Sequence, residues 1–168
     1  DQGAISFAIN GDRIQITTTF NTLGADDVIN SGAGDDVILG GFGADSINGG
    51  GGNDDILGDN GQLAYTGGVL GLISTADPVT GGADIIDGAS GNDTIIGGTD
   101  ADQITGGADT NIILGDQGLI RFASTGERIE VATTDHLFGA DDLISSGAGN
   151  DVILGGSGSD PILAGDGD

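Results

Sequence analysis

Residues 31–57 read S-G-A-G-D-D-V-I-L, G-G-F-G-A-D-S-I-N and G-G-G-G-N-D-D-I-L when they are divided into nines. Each nonapeptide has Gly at its fourth position, Asp at its sixth and Ile at its eighth. The same frame reaches its eighth position eleven times along the chain, and that residue is Ile every time. The sixth residue is Asp in ten of them and Asn once, at Asn111. A strict period of nine therefore governs most of the chain.

Nine residues divide into a turn of about six and an extended strand of about three, in which the Ile points inward and its neighbours outward. Glycine permits left-handed backbone angles and leaves carbonyl oxygens uncovered. The Asp adds a hard anionic oxygen, the ligand type that Ca²⁺ prefers. Two nonapeptides would make one coil, so the residues that face each other between stacked turns are two nonapeptides apart. We expect Ca²⁺ between Asp27 and Asp45 and between Asp36 and Asp54.

These nonapeptides resemble the RTX family of calcium-binding repeats, in motifs that cover roughly two thirds of the chain. The resemblance implies an all-β fold, a calcium-binding parallel β-roll or β-solenoid, with several Ca²⁺ ions as its cofactor. A plain turn is the alternative for the aspartates of the G-D-N-G and G-D-Q-G turns, Asp59 and Asp116. The predicted metal residues are Asp27, Asp36, Asp45, Asp54, Asp59, Asp84, Asp93, Asp102, Asp116, Asp142, Asp151, Asp160, Gly34, Gly43, Gly52, Gly91, Gly149 and Gly158.

The composition agrees with a metal-dependent repeat protein. The chain of 168 residues contains 36 Gly and no Cys, and its formal net charge is −24. Unneutralised carboxylates repel one another and oppose compaction, so we expect a chain that is disordered without Ca²⁺ and folds as its sites fill. The same charge excludes nucleic acid as a partner, and no apolar stretch is long enough to predict a membrane span.

A longer period, in which the sequence repeats after about 57 residues, encloses the short one. Residues 24–41 return almost unchanged as residues 139–156, and a related copy occupies residues 82–98. We therefore expect residues 1–168 to form one continuous solenoid segment of almost three units, 1–58, 59–115 and 116–168, cut from a longer tandem array. The polar capping repeats that solenoids need are missing from both ends.

Each unit also contains an intervening segment that is not nonapeptide and is slightly longer than one predicted coil. In the first unit, apolar and polar residues alternate on both sides of Asn10-Gly11-Asp12, which predicts two short strands joined by a tight turn. The segment is expected either to complete a third coil or to project as a small hairpin without interrupting the stack. Three coils in each of three units would give a rod of about 40 Å.

The middle unit departs from the consensus. Asp100 and Asp109 replace Gly at the fourth position, and Asn111 replaces Asp at the sixth. Asp tolerates left-handed backbone angles better than most residues, so the turns are expected to survive. The site between Asp93 and Asn111 is expected to be weaker or absent.

These features favour a calcium-binding structural segment: a rigid extracellular spacer, adhesin stalk or fibre, with further copies end to end as partners. The alternative is a calcium-dependent export or folding module of a secreted enzyme or toxin. A polysaccharide-binding module is the third interpretation, since Phe42 could offer an aromatic surface at a turn. The one histidine, His136, has no companions for catalysis, so enzyme activity is not expected.

Overall fold

The computed structural model describes residues 3–19 and 22–167. Residues 1, 2, 20, 21 and 168 of the predicted solenoid segment lie outside the described residues. The described parts are all-β and contain no helix, as expected from the sequence. The strands are β1 (Gly3–Phe7), β2 (Arg13–Thr18), β3 (Val28–Asn30), β4 (Val37–Gly41), β5 (Ser46–Asn48), β6 (Asp55–Asp59), β7 (Gly61–Thr66), β8 (Val69–Thr75), β9 (Ile85–Asp87), β10 (Thr94–Gly98), β11 (Gln103–Thr105), β12 (Ile112–Asp116), β13 (Gly118–Phe122), β14 (Arg128–Thr133), β15 (Leu143–Ser145), β16 (Val152–Leu154) and β17 (Ile162–Leu163).

The nonapeptide strands build two parallel sheets. The first parallel sheet has the order β17-β15-β11-β9-β5-β3, and the second has the order β16-β12-β10-β6-β4. Successive nonapeptides alternate between the two sheets, so paired strands inside a unit are two nonapeptides apart, as Ile38 and Ile56 are. The stacking of every second nonapeptide, predicted from the period, is therefore present in the strand pairing.

The intervening segments form antiparallel hairpins, β1–β2, β7–β8 and β13–β14. The parallel ladders run past them without a change of register: Ile56 pairs with Ile95 across one hairpin and Ile113 with Ile153 across the next. The hairpin alternative is therefore confirmed and the third coil is wrong. Because the hairpins leave the stack, six strands about 4.8 Å apart span about 25 Å instead of about 40 Å.

The three hairpins join one another in a third sheet, the hairpin sheet, with the order β1-β2-β7-β8-β13-β14. A threonine at the end of each of the first two hairpins binds the glycine that starts the next. The N–H of Gly61 donates to Thr18 Oγ1 (3.1 Å), and the N–H of Gly118 donates to Thr75 Oγ1 (3.0 Å). These bonds tie consecutive units together at their junctions.

Two apolar cores separate the three sheets. The first core is the ladder of eighth-position isoleucines between the two parallel sheets, for example Ile56, Ile95 and Ile113, all fully buried. The second core lies between the second parallel sheet and the hairpin sheet, where Leu57 and Ile96 pack in the same cluster as residues from the hairpins. The sequence predicted the first core; the second shows that the hairpins cover one face of the stack.

Within the described parts of the chain, no helix is both long enough and apolar enough to cross a membrane.

Candidate metal centre

The sixth-position side chains form two columns, one for each parallel sheet. The first column precedes the strands of the first parallel sheet and consists of Asp27, Asp45, Asp84, Asp102, Asp142 and Asp160. The second column precedes the strands of the second parallel sheet and consists of Asp36, Asp54, Asp93, Asn111 and Asp151. The period of nine places every second turn on the same edge, which is why the residues divide in this way.

Within each column, one carboxylate oxygen accepts a hydrogen bond from the neighbouring turn. The N–H of Asp27 donates to Asp45 Oδ1 (2.7 Å), and the N–H of Asp36 donates to Asp54 Oδ1 (2.9 Å). The same bond joins residues on the two sides of a hairpin, such as Asp45 N–H to Asp84 Oδ1 (2.7 Å). The structure therefore brings together the pairs that the sequence predicted.

In most of the column aspartates, the second carboxylate oxygen is buried and has no donor. This holds for the Oδ2 atoms of eight of them: Asp36, Asp45, Asp54, Asp84, Asp93, Asp102, Asp142 and Asp151. Buried polar atoms are nearly always hydrogen-bonded, and an ionised oxygen without a partner costs more than a neutral one. Eight such atoms in two regular columns indicate positions that a cation would fill.

First-position glycines form a cradle beside six of these oxygens, those of Asp45, Asp54, Asp84, Asp93, Asp102 and Asp142. A Cβ added to Gly97 would lie 2.3 Å from Asp102 Oδ2 and 2.3 Å from the carbonyl oxygen of Gly115 in the next coil. At Gly49 the corresponding atoms are Asp54 Oδ2 (2.7 Å) and the oxygen of Gly88 (3.2 Å). A carboxylate oxygen and a carbonyl oxygen thus face the same space, and both are acceptors.

These glycines were missed by the reasoning from sequence. The fourth-position glycines drew attention because turns need left-handed angles, whereas Gly97 has no such angle. The cradle glycines share a position one residue after a strand's ninth-position residue, and Gly recurs there: Gly40, Gly49, Gly58, Gly88, Gly97, Gly106, Gly115 and Gly155. That recurrence was the available signal.

The fourth-position glycines do adopt left-handed angles, with φ between 109° and 133° in Gly34, Gly43, Gly52, Gly91, Gly149 and Gly158. All of them except Gly34 also pack directly on the backbone of the previous coil: a Cβ on Gly91 would lie 1.9 Å from the carbonyl oxygen of Gly52. Asp100 (φ 69°) and Asp109 (φ 77°), at the same position of their nonapeptides, also have positive φ angles. The degenerate turns of the middle unit are therefore preserved, as predicted.

Burial raises the pKa of six column carboxyl groups, those of Asp45, Asp54, Asp84, Asp93, Asp102 and Asp142. It raises the pKa of Asp102 to about 10 and that of Asp84 to about 8. The pKa of Asp142 rises to about 7, and that of Asp93 to about 6, again chiefly through burial. Neighbouring carboxylates add to each shift. Without a cation, the folded state favours the protonated form of these groups.

Asp59 and Asp116 differ from the column residues. Asp59 Oδ1 accepts from the N–H of Gly82 (3.0 Å), and its Oδ2 accepts from the N–H of Thr99. Asp116 repeats the arrangement with the N–H groups of Ala140 (3.2 Å) and Ser157. Both oxygens of each carboxylate therefore bind main-chain donors after the hairpin, and calcium ligation by these two residues stays a prediction.

The described residues contain no cluster of three or more His, Cys, Asp or Glu side chains that could hold a metal. A cation in the columns would therefore take its remaining ligands from main-chain oxygens such as those beside the cradle glycines. An all-oxygen set of carboxylate and carbonyl groups suits Ca²⁺, which accepts six to eight oxygens in flexible geometry. The residues present fit calcium.

Stacked parallel strands with aspartate-rich turns define a class of protein in which cations link successive coils. Four copies of the RTX calcium-binding nonapeptide repeat match the chain, at residues 19–47, 32–62, 79–113 and 136–168. These matches cover more than half of the chain and leave out the first and third hairpins and all but the start of the second. The chain belongs to the family of RTX calcium-binding repeat proteins. No curated protein and no solved structure matches it.

The RTX nonapeptide is a structural repeat that binds calcium, and several copies bind several ions. The resemblance predicted from residues 31–57 is confirmed by the family match.

Proposed function

We propose that this segment is a calcium-loaded parallel β-roll that acts as a rigid spacer in an extracellular protein. Ions between the turns of the two aspartate columns would hold successive coils together, and the hairpin sheet would stiffen one face. Further copies of the unit, within a longer chain or in a neighbouring molecule, would extend the stack. The role is structural, and no catalytic step is assigned to it.

The observation that carries this proposal is the set of eight buried Oδ2 atoms without donors. A structure that depended on its own hydrogen bonds would not repeat the same unsatisfied oxygen in coil after coil. Filling one site at 100 times its dissociation constant contributes roughly 2.7 kcal/mol. Several such sites would supply a stability comparable with that of a whole small domain.

The second core favours a spacer over a simple export module. Leu63, Ile73 and Ile120 are fully buried, and they come from hairpins of two different units. They pack against the second parallel sheet and extend the apolar contact across unit boundaries. Apolar contact that continues across unit boundaries favours a long, stiff stack, whereas an export module needs only its calcium-binding turns to fold. A secreted location is proposed on the ground that RTX repeats occur in secreted bacterial proteins.

Far-UV circular dichroism during a calcium titration tests the dependence on metal. The chelated chain at neutral pH should give a disordered spectrum, and Ca²⁺ should convert it to a strand spectrum in a cooperative transition. Mg²⁺ serves as the control, because it demands a tighter octahedral geometry and should be far less effective. A strand spectrum that persists at neutral pH in excess chelator would contradict the proposal.

The spacer role has its own test. In the division proposed here residues 59–115 are one unit, and the strands pair in register at both of its ends, so a second copy inserted after residue 115 should stack in line. Two added coils should lengthen the particle by about 10 Å in small-angle X-ray scattering with calcium. An added copy that folds as a separate, flexibly linked body would instead support the module alternative.

A further inference from the structure

Asn111 interrupts the second column, and its environment differs from that of every aspartate there. Asn111 is fully buried, and its Oδ1 accepts from the N–H of Asp93 (2.9 Å), as the aspartates accept from their neighbours. Its Nδ2 points into the position that Oδ2 occupies elsewhere. There it donates to the carbonyl oxygen of Ser146 (3.4 Å) in the next coil, and it also contacts the oxygen of Asp109 (3.5 Å).

Asp54 offers the direct comparison within the same column. Beside Gly49, the Oδ2 of Asp54 and the carbonyl oxygen of Gly88 face one space, and Asp54 Oδ2 has no donor. Beside Gly106, the corresponding atoms are Asn111 Nδ2 and the oxygen of Ser146, each 3.0 Å from the cradle position. At the Asp54 turn two hydrogen-bond acceptors face each other, whereas at the Asn111 turn the amide donor faces a carbonyl acceptor.

We propose that the Asn111 amide takes the place of a calcium ion, so that this one junction between coils is held by a direct hydrogen bond. The inference rests on the proposed calcium sites at the other turns. The amide satisfies both of its ends inside the protein and adds no charge, so the second-column edge of this junction needs no cation. The second column would then bind one calcium ion fewer than a column with aspartate at every turn.

The location of Asn111 gives the substitution a consequence for folding. The coil of Asn111 lies before the β13–β14 hairpin, and Ser146 lies after it. The N–H of Val152 donates to the main-chain carbonyl oxygen of Asn111 (2.9 Å) across the same junction. When calcium is scarce, the coils on the two sides of this hairpin stay linked, and they provide a folded seed on which the ion-dependent coils assemble.

Native mass spectrometry at saturating calcium tests the ion count. Asn111→Asp restores the carboxylate and should bind one ion more than the unaltered chain. Asp54→Asn makes the reverse change in the same column and should bind one ion fewer. Asn92→Asp is the matched control: it adds the same charge at an exposed side chain in the neighbouring turn and should leave the count unchanged.

The outcomes separate this inference from the proposed function. If the unaltered chain binds several ions and Asn111→Asp binds the same number, the role of Asn111 is wrong and the calcium sites stand. If the unaltered chain binds no calcium, the proposed function itself fails. Should Asn111→Asp not fold, Asp54→Asn still tests the proposal. An unchanged calcium count in that variant would show that an amide at this position does not replace an ion.

Hydrogen exchange at subsaturating calcium supplies a second readout. The amide of Val152 should exchange faster in Asn111→Asp than in the unaltered chain, because the junction in this variant forms only after calcium binds. At saturating calcium the two chains should exchange alike. Equal exchange at both calcium levels would contradict a calcium-independent link.

Discussion

At the scale of single residues, each cradle depends on the absence of one side chain. Gly97 has an ordinary φ, so alanine there meets no backbone strain. Its Cβ would nevertheless lie 2.3 Å from both Asp102 Oδ2 and the Gly115 oxygen, and would occupy the space proposed for an ion. The need for glycine thus comes from the neighbouring coil and not from the local turn.

We predict that Gly97→Ala loses one bound calcium and about 3 kcal/mol of the calcium-dependent stability, the amount that one well-filled site contributes. Calcium counting and urea unfolding at saturating calcium measure the two effects. Gly71→Ala is the control, because Gly71 also has an ordinary φ and its Cβ would meet its nearest atom at 3.6 Å. A normal ion count in Gly97→Ala would exclude the cradle as a calcium position.

The residue scale also shows what sequence reasoning can reach. The period of nine was enough to identify the aspartate pairs, because stacking every second turn aligns the eighth-position isoleucines in one ladder. It could not identify the cradle glycines or the Asn111 amide link. Both depend on contacts between coils that are distant along the chain, where the exact direction of an oxygen decides the interaction.

At the scale of elements, the hairpins form a layer that covers the stack. The two-strand interpretation of residues 3–18 was correct because alternation around Asn10-Gly11 is a strong local signal, and Gly11 indeed adopts a φ of 92°. The covering of the second parallel sheet was missed. Its signal was present at the ninth position, which is apolar in Leu39 and Leu57 but polar in Asn48 between them.

The hairpin layer should contribute measurably to stability. Ile120 lies in β13 and is fully buried in the second core, so Ile120→Ala should cost about 2–5 kcal/mol. Ile129 lies in the neighbouring strand β14 with 64% of its surface exposed, so Ile129→Ala should change stability by about 0.5 kcal/mol or less. Chemical unfolding in saturating calcium compares the two. Equal effects would mean that the hairpins do not pack on the stack.

At the scale of the whole molecule, the charge of −24 and the buried columns set how folding depends on pH. Burial raises the pKa of Asp84 to about 8 and of Asp102 to about 10 in the folded chain without metal. Both values lie above the value of about 3.9 for an unfolded Asp. The metal-free folded state therefore binds more protons than the unfolded state, and it gains stability as the pH falls.

We predict that the calcium-free chain is more structured at about pH 5 than at about pH 9, since its stability is lost as the pH rises through the folded pKa values. Calcium affinity should change in the opposite sense and increase with pH, because the ion and the protons compete for the same carboxylates. Circular dichroism of the metal-free chain and calcium titrations at both pH values measure these trends. Strand content that decreases on acidification between these values would contradict the assignment of buried, repelling carboxylates.

The most direct test of the whole account is a crystal structure grown with calcium, with anomalous difference density used to locate the ions. The account predicts density between successive turns of both columns, at about 2.3–2.6 Å from Oδ2 of residues such as Asp54 and Asp102 and from main-chain oxygens of adjacent coils. It also predicts no ion between Asn111 and Ser146. Well-ordered columns without ions, or ions bound on the surface away from the Oδ2 atoms, would contradict it.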